Sequence, residues 1–291
     1  MRYRGTPPPP PRRDTTRRSW NAAIHAHNSH KGDQAAFFRN GGDTLFPEEL
    51  GLLGAPRGRR ILHVQCNCGQ DTLSLAARGA SVLGVDLSDD PIEFARSLAR
   101  DTGIAADFEQ GEILAWLAAA AHAVRSFDAA FATYGVLGWI ADLDAWMRGV
   151  ASVLRPGGRL VLLEFHPLIW SIGERGFSQD SYFLSGPIRE TGGVNDYVGR
   201  SGPGLTPMGF DPGVTAFTNP EPCVSFQWTV ADIVRATIAA GLSLRDLREY
   251  PYANGCVIQP NARALPGRRY AMPEGTPDLP LMLGIVAQKP A

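Results

Sequence analysis

The sequence of 291 residues has few of the features that mark secreted, membrane-spanning or nucleic-acid-binding proteins. Its four cysteines are too few and too scattered for a disulfide framework in a chain of this length, which favours a reducing cytoplasm. No apolar run reaches the roughly 18 to 20 residues that cross a bilayer. The formal net charge of -1 provides no field that would attract nucleic acid or an anionic membrane. We therefore expect a soluble protein, monomeric or homodimeric, whose partner is a small molecule.

The first 18 residues, MRYRGTPPPPPRRDTTRR, combine six arginines with five consecutive prolines and contain no apolar stretch typical of a signal peptide. This composition predicts a disordered leader. Only two of the 28 basic residues of the chain are lysines, so these arginines indicate the genome of a GC-rich bacterium more than a nucleic-acid-binding tail. Residues 19–59 combine aromatic side chains with a dense polar string at 25–33, which predicts short helices that form a lid.

A regular alternation of strands and helices begins at Arg60 and predicts right-handed crossovers and a parallel sheet. The pattern breaks at residues 167–225, which are rich in Gly, Pro, Ser, Thr and aromatics, and we expect an inserted cap there. A helix ending at Gly241 then precedes two strands that lie close in sequence and should pair antiparallel. The predicted α/β fold is a Rossmann-like doubly wound sheet, mostly parallel with an antiparallel last strand, over residues 60–291.

The carboxyl ends of the first two predicted strands carry the polar residues expected of a ligand site. The first strand ends in HVQCNCGQD, and the second ends in VDLS, which places Asp86 seventeen residues after Gly69. A carboxylate in this position can accept hydrogen bonds from both hydroxyls of an adenosine ribose. The alternative is that Asp86 caps the following helix or lies in a surface turn.

The segment ILHVQCNCGQDTLSLAARGASVLGVDLSDDPIEFAR resembles the opening motif of class I S-adenosylmethionine-dependent methyltransferases. Where that family usually has three glycines, this sequence has Gln65, Asn67 and Gly69. Asparagine enters left-handed backbone conformations more readily than most residues, so the tight turn can survive at Asn67. The segments FEQGEIL, FDAAFATYGVLGWI and LRPGGRLVLLEFHP resemble later landmarks of the family and occur in the same order, so the resemblance covers about residues 20–290.

The resemblance implies an enzyme that uses S-adenosyl-L-methionine to methylate a small organic acceptor. The cofactor would contact the turn after the first strand, the end of the second strand, the loop that holds the adenine and the tip of the fourth strand. The residues at these positions are Gln65, Cys66, Asn67, Gly69, Asp86, Leu87, Glu112, Ile113 and Tyr134. Two of them have simpler interpretations, since Glu112 could be a solvated loop acid and Tyr134 a core aromatic.

Methyl transfer from a sulfonium is an in-line displacement, which needs alignment and exclusion of water more than a reactive side chain. If the acceptor must lose a proton, histidine is the base best suited near neutral pH. The candidates are His166, just past the fifth strand, and His27 and His30 in the polar string that also contains His25 and Lys31. These histidines could equally be bystanders on a loop or on a solvated helix face.

Three other functions are weighed against this interpretation. A nicotinamide-dependent oxidoreductase would want a G-x-G-x-x-G turn for its pyrophosphate, and QCNCGQ supplies a single glycine. A non-catalytic methyltransferase-like binding protein would explain the missing glycines but not the retained Asp86. A zinc site at His63, Cys66 and Cys68 lacks the usual C-x-x-C spacing, so we expect no metal.

Overall fold

The computed structural model describes residues 13–173, 176–177 and 181–291. The α-helices are α1 (Arg13–Ser29), α2 (Gln34–Arg39), α3 (Pro47–Leu53), α4 (Gln70–Ala77), α5 (Asp89–Thr102), α6 (Ile113–His122), α7 (Leu143–Val153), α8 (Tyr197–Ser201) and α9 (Val230–Ala239). Short 3₁₀ helices cover Leu137–Trp139, Pro167–Ser171 and Gly202–Gly204.

The strands are β1 (Arg60–Val64), β2 (Ser81–Asp86), β3 (Asp107–Gln110), β4 (Phe127–Thr133), β5 (Leu154–Phe165), β6 (Ile172–Gly173), β7 (Gly176–Phe177), β8 (Ile188–Glu190), β9 (Cys223–Ser225), β10 (Ser243–Tyr250), β11 (Tyr252–Asn254), β12 (Arg263–Leu265), β13 (Arg269–Ala271) and β14 (Met282–Gln288). A seven-stranded sheet has the order β10-β14-β5-β4-β1-β2-β3. β14 pairs antiparallel with both of its neighbours, β10 and β5, and the other described pairs in this sheet are parallel. The predicted Rossmann-like sheet with an antiparallel last strand is confirmed.

Both faces of the sheet are covered by helices, which is why its strands are apolar at successive positions rather than at every second one. Ile61 points to the face covered by α3 and α4, while its neighbour Leu62 points to the face covered by α6, α7 and α9. Both side chains are fully buried. Trp146 on α7 is the largest fully buried side chain of the second face. The two cores hold the strand ends in register and so fix the positions of the loops that follow them.

The N-terminal helix begins earlier than the sequence indicated. Residues 13–18, assigned above to a disordered leader, form the first turns of α1, and residues 1–12 lie outside the described residues. Arg17 donates from Nη1 to Asp89 Oδ1 (2.6 Å), and Arg18 donates from Nε to Glu221 Oε2 (3.0 Å). Asp14 accepts from both arginines, as residues three and four apart on a helix can. These contacts were hidden in a segment whose composition is dominated by arginine and proline.

The segments that cover the carboxyl edge of the sheet come from three parts of the chain. The N-terminal helices form the first part, and α1 packs against α5 and α8. The described part of the expected cap contains α8 and the β8–β9 pair, and an isolated bridge joins Lys31 to Phe210. The third part was missed by the sequence analysis, which expected only a Pro/Gly-rich link between the last two strands of the sheet. The structure has a small β11-β13-β12 sheet there.

Gly69 and Gly103 provide a matched test of packing around the turn after β1. Both have left-handed backbones, with φ of +73° and +71°. A Cβ at Gly69 would lie 2.6 Å from Phe108 Cε1 and 2.9 Å from the Cβ of Ala95, whereas nothing lies within 4 Å at Gly103. Gly103→Ala should therefore cost only the backbone penalty of about 1–2 kcal/mol. Gly69→Ala should cost a further 1–3 kcal/mol or so through overpacking.

Denaturant unfolding of the two ligand-free variants measures this difference. An equal loss of unfolding free energy in both would contradict the crowding at Gly69.

Candidate active site

A cavity of about 690 Å³ opens at the carboxyl ends of β1, β2, β4 and β5. Its floor is built from the strand ends, and its walls come from the N-terminal helices, the cap and the β11-β13-β12 sheet. Its lining includes Trp20, Lys31, Phe46, Gln65, Cys66, Asn67, Asp71, Asp86, Leu87, Glu112, Ile113, Tyr134, Glu164, Phe165, Ile169, Tyr197, Asn254 and Arg268. Among the predicted cofactor residues, only Gly69 is outside this lining.

The turn after β1 adopts left-handed backbone conformations at the three positions where the family usually has glycine. The φ angles are +57° at Gln65, +49° at Asn67 and +73° at Gly69. Such a conformation costs a non-glycine residue roughly 1–2 kcal/mol. Hydrogen bonds by the two side chains offset this cost, because each contributes about 0.5–1.5 kcal/mol. The turn therefore keeps its shape without its first two glycines.

Those hydrogen bonds connect the turn to its surroundings. Gln65 Nε2 donates to the carbonyl oxygen of Val136 (3.0 Å), and Trp146 Nε1 donates to Gln65 Oε1 (3.2 Å). Asn67 Oδ1 accepts from the amide of Cys68 (2.7 Å). A glycine could make none of these bonds. Here side-chain hydrogen bonds stabilise a left-handed backbone that glycine would adopt at little cost.

Asp86 ends β2 and joins that strand to the turn. Its Oδ2 accepts from the amide of Asn67 and its Oδ1 from the amide of Ser88, both at 2.9 Å. Burial raises the pKa of Asp86, while the backbone amides of Ser88 and Asn67 oppose that shift. A carboxylate has about four acceptor sites, so each oxygen can accept a further hydrogen bond from a ligand.

Leu87, Glu112 and Ile113 form the neighbouring wall. Glu112 is the N-cap of α6, and its carboxylate accepts from the amides of Leu114 (3.2 Å) and Ala115 (2.9 Å). It is therefore not simply the solvated loop acid considered above. Ile113 is buried at 6% exposure and gives this wall an apolar surface.

The loop after β4 is held by Glu164, a residue that the sequence analysis did not assign to the site. Glu164 accepts from the amide of Gly135 and from the amide of Leu137 (2.7 Å). Burial raises the pKa of this carboxyl to about 7. Tyr134, which precedes Gly135 in this loop, has a left-handed backbone with φ of +41°. Its hydroxyl accepts a hydrogen bond from Asn254 Nδ2 (2.8 Å). The available signal was an acidic residue directly after the apolar run LVLL of β5.

The cavity is also lined by two cationic side chains, of which the sequence analysis named Lys31 and missed Arg268. Arg268 lies at the β12–β13 turn, and Lys31 lies at the end of the N-terminal polar string. Asp71 on α4 faces both charges, and it accepts from the hydroxyl of Thr44 at 2.5 Å. Burial lowers the pKa of Lys31, while the nearby Cys68 and Asp71 oppose the shift.

The three histidines considered as bases do not line the cavity. His166 caps the 3₁₀ helix that follows β5 by accepting from the amide of Leu168 (3.1 Å), and its Nε2 contacts Glu249 Oε1 (2.9 Å). His30 Nε2 contacts Asp196 Oδ2 (2.7 Å), and its Nδ1 contacts the carbonyl oxygen of Asp211 (3.1 Å). In both residues the two ring nitrogens are occupied by protein groups.

His27 supports the cavity wall from behind. Its Nε2 donates to the carbonyl oxygen of Asn195 (2.9 Å), and its ring packs 4.4 Å from the ring of Tyr197, which does line the cavity. Burial lowers the pKa of His27 to about 4. The polar string is thus anchored by a buried helix face. Its sequence alone did not show which of its residues are buried.

Cys66 and Cys68 are buried and unpaired. Cys66 packs its sulfur against Gly84, and Cys68 accepts a hydrogen bond from Asn28 Nδ2 (3.4 Å). Within residues 13–173, 176–177 and 181–291, no three His, Cys, Asp or Glu side chains form a group that could hold a metal ion. The same residues contain no helix long and apolar enough to cross a membrane.

Comparison with known proteins finds similarity to methyltransferases over part of the chain. The profile of a methyltransferase-domain family matches residues 61–158. The S-adenosyl-L-methionine-dependent Diels-Alderase iccD of Talaromyces variabilis is 36% identical over 115 residues, which are 40% of this chain and 39% of that protein. A ubiquinone biosynthesis O-methyltransferase of Xanthomonas axonopodis pv. citri is 34% identical over 122 residues, 41% of this chain and 49% of that protein. The chain thus spans less than half the length of each of these two curated relatives.

The fold of this chain is similar to that of a solved methyltransferase structure. An S-adenosylmethionine-dependent methyltransferase from Mesorhizobium loti superposes with a TM-score of 0.54 at 20% identity, covering 86% of this chain and 99% of that one. The chain therefore has a Rossmann-like α/β fold, and its residues 61–158 are similar to a methyltransferase domain. The curated relative from Talaromyces variabilis and this solved structure are both named as proteins that depend on S-adenosylmethionine.

His63, the histidine in the cavity floor, makes the stability of the protein depend on pH. Burial lowers its pKa from 6.5 to about 3. Below pH 6.5 the unfolded chain binds a proton here that the folded chain does not, so the free energy of unfolding falls as the pH falls. At pH 5 this amounts to roughly 2 kcal/mol. Between pH 7 and pH 5, the free energy of unfolding of His63→Asn should therefore fall by about 2 kcal/mol less than that of the parent.

Denaturant unfolding at the two pH values measures the effect, with His122→Asn as the control because His122 is exposed on α6. If His63→Asn keeps the pH dependence of the parent, the neutral buried imidazole is not its source.

Proposed function

We propose that the protein transfers a methyl group from S-adenosylmethionine to a small organic acceptor. The observation that carries this proposal is Asp86, whose half-buried carboxylate faces the cavity beside the left-handed turn of residues 65–69. The cavity volume of about 690 Å³ lies within the range of roughly 300–1,000 Å³ typical of small-molecule sites. It extends from β2 across β1 to β4 and β5, which leaves room for a second molecule beside the cofactor.

The residues along this path fit the parts of the cofactor in order. Asp86 would accept hydrogen bonds from the two ribose hydroxyls with the acceptor sites left after it binds Asn67 and Ser88. Leu87 and Ile113 offer apolar surface to the adenine. Lys31, the cation beside Cys68 and the turn, suits the methionine carboxylate, which is the anionic group of the cofactor. Within the described residues its ammonium has no hydrogen bond or ion pair that would compete.

The remaining walls favour alignment and exclusion of water rather than a histidine base. Tyr134 and Phe165 place their rings 5.5 Å apart, and Trp20 and Trp139 pack edge to face at 5.5 Å. Aromatic faces also attract a sulfonium cation. Because His27, His30 and His166 bind other protein groups, we propose that none of them takes the acceptor's proton. When bound, the cofactor supplies the methyl group and the leaving sulfur, and the protein supplies geometry.

The lined cavity and the formed turn argue against a protein that has lost its ligand, and the four buried free cysteines fit a reducing cytoplasm. One relative bears the name of a Diels-Alderase that depends on the same cofactor. Methyl transfer must therefore be tested directly rather than inferred from cofactor binding.

Asp86→Asn should weaken the binding of S-adenosylhomocysteine by roughly 10- to 100-fold, because it removes the charge from hydrogen bonds to the ribose worth about 1.5–3 kcal/mol. Asp89→Asn is the matched control, because this substitution removes the same charge three residues away. Asp89 itself contacts Arg17 and Asn21. Titration calorimetry measures both. An affinity of Asp86→Asn within threefold of the parent would place the cofactor elsewhere.

Methyl transfer itself is tested by incubating the protein and a bacterial metabolite extract with methyl-labelled S-adenosylmethionine. Mass spectrometry should find a labelled small molecule that is missing with Asp86→Asn. Binding of the cofactor without any labelled product would contradict the proposed transfer and favour a non-transferring use of the cofactor.

A further inference from the structure

Arg268 lines the cavity from the small β11-β13-β12 sheet. It lies at the tight turn between β12 and β13, and it is half-buried. Its guanidinium stacks on the ring of Phe46 with Cζ 4.1 Å from the ring centre. Nη1 donates to the carbonyl oxygen of Gly204 (3.1 Å) and Nη2 to that of Thr44 (3.0 Å). These contacts fix the group in the cavity wall but use only two of its five N–H donors.

The charge of Arg268 has no partner of its own in the described part of the chain. The next residue, Arg269, is different, because it forms an ion pair with Glu48 Oε1 (2.5 Å). The acids that interact electrostatically with Arg268 are Asp71, Glu49 and Asp43. Asp71 also faces Lys31, and Glu49 is buried and accepts a hydrogen bond from the amide of Phe46 (2.8 Å). Within the described residues none of these carboxyl groups forms an ion pair with the guanidinium of Arg268.

The backbone at Arg268 also points to a role for its side chain. Its φ is +60°, a left-handed conformation that costs an arginine roughly 1–2 kcal/mol relative to glycine. Strain of this kind is found at ligand sites, where the rest of the structure maintains it. The strained turn holds the guanidinium against Phe46 and above the cavity.

Asn254 provides an independent sign of a ligand here. It is 1% exposed and lines the cavity, and its Nδ2 donates to Tyr134 Oη (2.8 Å) and Glu48 Oε2 (3.2 Å). Its Oδ1 is buried and has no hydrogen-bond partner. A buried acceptor without a partner costs about 1–3 kcal/mol, so a ligand that donates a hydrogen bond to it would recover that loss.

The topology separates this end from the cofactor. Asp86 ends β2, whereas Tyr134 follows β4, and β1 lies between these strands. Two strand spacings amount to roughly 10 Å. With the ribose at Asp86 and the methionine chain at Lys31, the groups around Tyr134 and Arg268 remain for the acceptor.

We propose that the acceptor is an organic acid, and that Arg268 binds its anionic oxygen group, a carboxylate or a phosphate, while Asn254 Oδ1 receives an O–H or N–H of the same molecule. The inference rests on the proposed function, since it takes the cofactor to occupy the Asp86 end. The apolar and aromatic side chains of Phe46, Phe165 and Ile169 between these polar groups suit a carbon skeleton.

The test uses the full chain saturated with S-adenosylhomocysteine and a set of probes: the three hydroxybenzoates, the corresponding hydroxybenzamides and the hydroxyphenyl phosphates. Calorimetry should show at least one acid binding tenfold or more tightly than its amide. The tighter of the carboxylate and phosphate sets identifies the anionic group. Arg268→Gln should weaken that acid by roughly 10- to 100-fold, while Arg268→Lys should retain part of the affinity.

Arg263→Gln is the matched control, because Arg263 is an exposed residue of the same small sheet and lies outside the cavity. It should leave the affinities for S-adenosylhomocysteine and for the acid unchanged. Lys31→Gln should show the opposite pattern to Arg268→Gln, with weaker S-adenosylhomocysteine binding.

Three results would overturn the inference. Equal binding of every acid and its amide would show that the site does not recognise an anionic group. Loss of S-adenosylhomocysteine binding rather than acid binding in Arg268→Gln would assign the arginine to the cofactor. Unchanged acid binding in a folded Arg268→Gln, judged by its thermal unfolding, would leave the guanidinium without this role. Failure of the parent to bind S-adenosylhomocysteine would instead contradict the proposed function.

Discussion

The hydrogen bonds from the amides of Asn67 and Ser88 to Asp86 join the turn after β1 to the end of β2. A parallel sheet brings these two strand ends to one edge, but it does not determine the shape of the loops that leave them. The carboxylate does so by holding Asn67 in its left-handed conformation. The same group then presents its remaining acceptor sites to the cavity, so one interaction both shapes the turn and prepares the site for a ribose.

Most of the fold could be predicted from the sequence because it depends on local apolar patterns. Ile61 and Leu62 are both buried, on opposite faces, and such continuous apolar runs are typical of parallel strands. The left-handed positions of Gln65, Asn67 and Gly69 also follow from their place in the motif. Local patterns did not reveal the start of α1, because Arg17 and Arg18 are held by contacts with the distant residues Asp89 and Glu221.

The acceptor end of the site could not be predicted for a related reason. Arg268 and Asn254 come from a small sheet late in the chain, and they reach the cavity only because β14 returns antiparallel beside β5. His27, His30 and His166 looked reactive as residue types. Their partners Asn195, Asp196, Asp211 and Glu249 lie between 83 and 181 residues away in the sequence. These partners bind both ring nitrogens of His30 and one ring nitrogen each of His27 and His166. Glu164 has a similar explanation, since its role depends on amides of the loop after β4.

The central claim is that one cavity holds the cofactor at the Asp86 end and leaves the Arg268 end for the acceptor. A crystal structure of the protein with S-adenosylhomocysteine tests it most directly. The account predicts both ribose hydroxyls within hydrogen-bond distance of Asp86, the homocysteine carboxylate near Lys31, and the sulfur directed toward Tyr134. A homocysteine carboxylate bound to Arg268, or a ribose that does not contact Asp86, would contradict it.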